Sequence, residues 1–404
     1  MAFQQGLSGL NSASRNLDVI GHNIANANTV GMKASRAEFA ELYASSINAS
    51  GGVNSGIGVT VATVSQMFTQ GNISVTGNDM DVAINGNGFF ELAMPDGSMA
   101  YSRAGMFKLD RDGNIITNTG GQLMGYPTDA AGVRQGFDSV PLTLPTGGPI
   151  PAQQTSAITA EFNLDASAPI AASVVPPTPL GTYATSLNAF DPQGLEIPVG
   201  LVFDKIGNNQ WNVYTSVNNS DPALSTPFTI SFLADGSLDP ASVIPQLQLA
   251  SPNDPAQTFN VDLDFTGATQ FGADFAVSNL TQDGYRPGEL TSLGIDESGV
   301  IMARYSNGQS QAAGQISLVN FRNVQGLVPT GGGNWVTTFE SGEAVRGAPG
   351  EGKLGALRAG ALEDSNIDLT AELVNMMTAQ RAYQANAQTI KTQDQVLSTL
   401  LNMR

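Results

Sequence analysis

The sequence predicts a multidomain α+β chain: paired N- and C-terminal coiled-coil helices enclosing two nested, mainly-β domains. Three observations carry that expectation. Apolar residues recur at 3–4 spacing through the last forty residues, with no proline or glycine to interrupt them. The first thirty residues show the same register. No proline occurs before Pro95 or after Pro349, whereas the interior is rich in proline and glycine, so helix-compatible ends flank a helix-hostile middle.

The N-terminal element places Phe3, Leu7, Leu10, Leu17 and Ile24 on one seam, with Ile20 beside it and Ser14 and Gly21 as weak stations. Asn26, Asn28 and Gly31 supply stop chemistry, so the helix is expected to end near Asn28. The C-terminal element starts after Asn366 or Asp368 as cap. Its stations are Leu369, Leu373, Met376, Gln380, Tyr383, Ala387, Ile390, Asp394, Leu397 and Leu401, with Met377 adjoining. At 1.5 Å per residue it reaches about 50 Å and needs a partner of comparable length.

Arg15 and Asp18 are the only formal charges in the first thirty residues, and the polar side of the C-terminal helix is mainly Asn, Gln, Thr and Ala. Few ion pairs can support either helix alone, so both ends are expected to order on association. An intramolecular helical hairpin is the alternative; the sparse charge on the outer faces favours packing between molecules.

Between the ends, alternating segments predict strands at 71–76, 81–84, 88–93, 106–109 and 114–117, with Asp96-Gly97 and Asp112-Gly113 as hairpin turns. A second β-rich series covers 195–203, 211–216, 228–233 and 259–265, and a third covers 299–305 and 314–321. The expected domains are therefore 1–32 with 364–404 (helical), 33–70 (a connecting segment), 71–145 with 285–363 (inner β) and 146–284 (inserted outer β).

The composition excludes several function classes. Lys and Arg number 17 against 35 Asp and Glu, a net charge of −18 that disfavours phosphate backbones and anionic membranes. There is no cysteine for disulfides, thiolate metal sites or cysteine nucleophiles. No apolar run reaches the roughly 18 residues of a membrane span, and no signal-peptide pattern opens the chain.

Candidate catalytic motifs dissolve on inspection. His22 is the only histidine and lies within the helical pattern. Gly6-Leu7-Ser8-Gly9-Leu10 misses the nucleophile-elbow spacing by one position. Asp110 to Asn114 has its glycine too early for a calcium loop and lacks the twelfth ligand. Gly86-Asn87-Gly88 and Gly331-Gly332-Gly333 lack the continuation of a phosphate loop. Asp262 and Asp264 read as a solvated strand face. The expectation is a non-enzyme with no catalytic residues, metal or cofactor.

The string Ala25-Asn26-Ala27-Asn28-Thr29-Val30-Gly31 resembles the Ala-Asn-x-x-Thr-x-Gly signature of the rod and hook axial proteins of the bacterial flagellum. Residues 81–90 and 101–107 resemble that family's first β region. The most specific block is C-terminal: Asn366, Asp368, Gln380 and Arg381 in their surrounding sequence. The central insertion has the size found in hook-forming members, whereas the distal rod protein lacks it, and 284–290 resembles the hook's re-entry segment. The resemblance implies a self-polymer: a short curved tube acting as a universal joint, transmitting torque from rod to filament. It further implies partners in the rod, hook cap, hook-filament junction and flagellar type III export apparatus, and an extracellular place in the basal body and hook without a cleaved signal. Neither nucleic acid nor membrane insertion is expected. A rod or junction protein is the nearest alternative; a secreted β-rich adhesin or hydrolase is the alternative of another class.

Overall fold

The computed structural model describes residues 2–43, 56–144, 148–171, 182–218, 220–221 and 225–402. It divides into two compact units: Met1–Gly147 with Ser292–Ala303 and Ser310–Arg404, and Gly148–Thr291 with Arg304–Gln309.

In the first unit, helix α1 (Ala2–Ala25) stops three residues before the expected Asn28. Residues 26–32 then turn, with the Thr29 and Met32 amides bonding to the Asn26 and Thr29 carbonyls. Helix α2 (Leu369–Asn402) begins where the Asp368 carboxylate accepts from the Thr370 and Ala371 amides, an N-cap that satisfies donors the first turn cannot.

Residues 33–70 hold more than a connector. Strands β1 (Ser35–Tyr43) and β2 (Gly56–Gln66) form an antiparallel hairpin from Ser35↔Gln66 to Tyr43↔Gly56, with an irregularity at Glu38/Phe39. Alternating Ile57, Val59 and Val61 give β2 its pleated face. The hairpin packs against α1, where Gln5 Nε2 donates to the Gly56 carbonyl and Ser8 Oγ accepts from the Val59 amide.

Next, β3 (Ile73–Val75) pairs with Ala361–Glu363 and β4 (Val82–Asn85) with Ala356–Ala359, so segments nearly 300 residues apart interleave. Strand β5 (Phe89–Ala93) pairs with β6 (Met99–Ser102) and with Leu318–Asn320. Ile84, Phe90, Leu92, Leu123, Ile301 and Ile316 make one core, and Phe89, Tyr101, Phe321 and Trp335 an aromatic one. Strands 99–102 and 122–126 had no sequence expectation, because each is a four- or five-residue run lacking a clean alternation.

The second unit stacks a five-stranded sheet on a four-stranded one. Ala157–Asp165 and Glu196–Gly207 bury every second residue, and Phe162, Phe203, Trp211 and Phe265 fill the space between the sheets. The Trp211 indole donates to Gln270 Oε1, and the Lys205 ammonium bonds the Ala166 and Ala168 carbonyls.

Candidate assembly surface and the joint at its base

Small residues on α1 set how closely the helices approach. A Cβ on Gly6 would stand 3.1 Å from Ile390, and one on Gly9 would stand 2.9 Å from the Asn386 amide. Near the other end Asn23 Nδ2 reaches Glu372 Oε1 at 3.1 Å, so the helices run antiparallel. The pairing lies within one chain, and it divides the seam residues into two sets. Ile20 is buried; Leu10, Leu17, Ile24, Met376 and Ile390 are half-buried. Phe3, Leu7, Leu369, Leu373, Met377, Tyr383 and Leu397 remain exposed, Leu373 and Leu397 by about half. The Leu401 side chain lies outside the described residues. One side of α2 is thus covered, and apolar residues elsewhere along it are not.

The signature residues build the joint beneath the helices. The Asn26 amide donates to the His22 carbonyl and Thr29 Oγ1 donates to Asn26, closing the turn after α1. Ala25 and Thr29 are exposed. Gly31 needs to be glycine twice over: its φ is +70°, and a Cβ would stand 2.6 Å from the Ala104 amide nitrogen. Its own amide bonds the Glu363 carbonyl. Asn366 Oδ1 accepts from the Ala34 amide at 2.7 Å while its Nδ2 donates to Met67 O and Thr69 Oγ1. Asn366 therefore ties the entry of α2 to both ends of the hairpin.

Below this sits a buried ionic cluster. Lys33 Nζ lies 2.6 Å from Glu363 Oε1 and donates to the Thr69 carbonyl; the Gly71 amide shares the same Glu363 oxygen. Arg103 approaches the other oxygen at 3.4 Å and donates to the Gly86 carbonyl at 2.8 Å. Burial pulls Lys33 below the usual lysine range against the opposing pull of Glu363, and burial likewise lowers Arg103. Asn23 clamps the start of β1, accepting from the Ser35 amide and donating to its carbonyl. Lys33, Glu363 and Glu372 were not singled out from sequence, and Asn23 and Arg103 stood out only as parts of the strings that resemble the family, since their partners lie up to 349 residues away.

Gln380 and Arg381 are exposed on α2, and Arg381 makes no ion pair among the described residues. His22 is exposed and lies beside Asn26. Ser8 donates to the Gln5 carbonyl of its own helix. Asp110–Asn114 and Gly331–Gly333 are turns, and Asp262 and Asp264 are exposed on their strand. Among the described residues no group of three or more His, Cys, Asp and Glu could hold a metal, and no helix is long and apolar enough to cross a membrane.

Four family models match the chain: a flagella basal body rod protein model at 3–33, the flagellar hook protein FlgE/F/G D1 domain at 83–161, the flagellar basal body protein FlaE D2 domain at 163–285, and the flagellar basal body rod FlgEFG protein C-terminal model at 358–403. The chain is 42% identical to the flagellar hook protein FlgE of Escherichia coli K12, covering all of both chains. It is 41% identical to that of Salmonella typhimurium LT2 over the same full span. Against the flagellar hook protein FlgE of Borreliella burgdorferi it is 32% identical over all of this chain and 99% of the other. The fold is similar to the crystal structure of Helicobacter pylori flagellar hook protein FlgE2, with a TM-score of 0.56 over 72% of this chain and 100% of that one, at 14% identity.

Proposed function

This chain belongs to the flagellar hook protein family, and from that premise we propose that it is the structural subunit of the hook, polymerising into a short, curved, flexible tube that transmits torque from rod to filament. The observation that carries the reading is the run of apolar residues left bare along α2. A 34-residue helix is covered along one side by a 24-residue partner and displays Leu369, Leu373, Val374, Met377, Tyr383, Val396 and Leu397 to solvent. So many apolar side chains bare along one helix of a lone subunit mark it for association. A contact that joins different faces of successive copies repeats without closing and yields a helical polymer.

The assembly interface is made of the exposed set, Phe3, Leu7, Leu369, Leu373, Met377, Tyr383 and Leu397, whereas Leu10, Leu17, Ile20, Ile24, Met376 and Ile390 lie buried or half-buried within the subunit. α1 and α2 pair as a coiled coil that continues between subunits in the tube's inner wall. The hairpin of 33–70 braces that pair, and the Lys33–Glu363–Arg103 cluster stiffens the joint through which torque passes. Residues 71–145 with 285–363 make one β domain and 146–284 a second, inserted one. The subunit works without catalysis or a cofactor. It leaves the cell by flagellar type III export and joins the rod, the hook cap and the hook-filament junction.

Leu373→Asp tests this. A charge set into an apolar contact costs several kcal/mol, enough to block polymerisation while both β units stay folded. Electron microscopy of the purified protein under polymerising conditions checks it: wild type is expected to form curved tubes and the variant none. Normal tubes from the variant would refute these bare residues as the assembly surface.

A further inference from the structure

We infer that Asn87 is a self-modifying site: it loses its side-chain amide to the glycine that follows it and, with water, becomes a mixture of aspartate and isoaspartate. Gly86-Asn87-Gly88 is a turn between β4 and β5 that the assembly reading leaves without a role. An asparagine before glycine is open to this reaction because glycine offers its amide nitrogen with no side chain to crowd it. Three such pairs occur in the chain, at 85–86, 87–88 and 307–308, and the fold holds them differently.

At Asn307 both ends of the side-chain amide are tied, Nδ2 to the Arg286 carbonyl at 2.7 Å and Oδ1 to the Gln309 amide at 3.0 Å. The Gly308 amide bonds the Tyr305 carbonyl. At Asn85 the Gly86 amide donates to Gln70 Oε1 at 3.1 Å, and Gln70 Nε2 approaches Asn85 Oδ1 at 3.5 Å. A Cβ on Gly86 would stand 2.9 Å from Gly355 Cα, so that pair has no room to swing. Asn87 differs on each count. It is exposed, and neither its side chain nor the Gly88 amide has a hydrogen-bond partner among the described residues. Gly88 is buried beside Leu354 and Leu318, so solvent base reaches its N–H only through fluctuation, but no bond has to break first.

The Asn87 carbonyl accepts from the Gly355 amide at 2.7 Å. When base removes the Gly88 N–H proton, negative charge develops on that carbonyl oxygen, where the Gly355 amide stabilises it. The Gly88 nitrogen then bonds to Asn87 Cγ, the Cγ–Nδ2 bond breaks, and Nδ2 takes a proton from water and leaves as ammonia. Water opens the resulting cyclic imide at either carbonyl. Opening at Cγ leaves aspartate. Opening at the backbone carbonyl leaves isoaspartate, with the chain running through Cγ and the former backbone carbonyl a free carboxylate. That carbonyl is the one Gly355 holds, next to the Ala356↔Asn85 pairing, so isoaspartate loosens β4.

Full-length protein is incubated in mildly alkaline buffer, folded or in urea, then digested and mapped by mass spectrometry with fragmentation that separates aspartate from isoaspartate. In the folded protein Asn87 is expected to convert about tenfold or more faster than Asn85 or Asn307, whose bonds add to the barrier, and to yield both products. In urea the three rates should converge. After conversion the urea midpoint read by Trp335, buried in the inner unit, should fall in wild type and hold in Asn87→Gln, whose longer side chain closes a ring far more slowly. An intact Asn87, conversion of Asn85 or Asn307 as fast as Asn87 in the folded protein, aspartate as the sole product, the same ranking in urea, or a midpoint that behaves alike in wild type and Asn87→Gln overturns the proposal.

Discussion

Lys33 and Glu363 share a contact in which both side chains are fully buried, and the energetics of such pairs are asymmetric. Forming the pair yields little net stability because both charges lose water, but removing one partner strands the other. Lys33→Met is therefore expected to destabilise the inner unit by about 3–5 kcal/mol, since Glu363 keeps only the Gly71 amide and the long approach from Arg103. The two tryptophans make the measurement direct, with Trp335 buried in one unit and Trp211 in the other. In urea the Trp335 transition should move to lower concentration and the Trp211 transition should stay; equal shifts in both would contradict a local role. At this scale the sequence is uneven. Gly31 was legible as stop chemistry because a left-handed residue after a helix is a local requirement. Lys33 was not, because nothing within 30 residues of it discloses that a carboxylate 330 positions away will bury it.

Among the elements, the helices were the easiest to read and the hairpin the hardest. The 3–4 spacing of α1 and α2 persists over many turns, so α2 starts directly after Asp368, one of the two caps expected, and α1 stops three residues short of the expected Asn28. Asp368→Ala removes the acceptor for the Thr370 and Ala371 amides and should cost about 1 kcal/mol. Hydrogen exchange should show faster exchange confined to the first turn of α2; an unchanged first turn would mean that Asn366 and Asn23 hold it without the cap. The hairpin escaped because β1 reads Ser-Arg-Ala-Glu-Phe-Ala-Glu-Leu-Tyr, where Ala37 is buried while Phe39 and Leu42 point to solvent. Burial inverted against residue size hides the inward face from any pattern of large apolar residues. The seam shows the converse: its period was legible, but which stations α1 covers depends on how near Gly6 and Gly9 let the helices come.

For the whole molecule, the division into two separately cored units lets the response of the second one to acid be followed by itself. In the second unit, burial pushes Asp191 up, but bonds from Ser251 and from the backbone amides of Leu195, Gln193 and Gly194 outweigh it and hold the carboxyl below its usual range. At Asp283 burial is again opposed and outweighed, by Ser156 and the amides of Ala157 and Ser156. Hydrogen bonds from Ser237 and Thr266 lower Asp235 and Asp264. A carboxylate with a folded value below its unfolded value of about 3.9 stabilises the fold above that pH and loses its contribution as pH falls through the folded value. Asp204 runs the other way, raised by burial, so acid relieves a small cost there. Asp165 is lowered in the same way by Ser167, so five lowered carboxyls stand against one raised, and the net sign is theirs. The urea midpoint followed by Trp211 should be flat from about pH 7 to 5 and fall steeply below about pH 4. Asp191→Asn should flatten part of that fall, because the amide cannot titrate although it keeps an acceptor for the Leu195 amide. A Trp211 midpoint that rises on acidification would reverse the sign and mean that buried carboxylates such as Asp204, and not the capped ones, govern this unit.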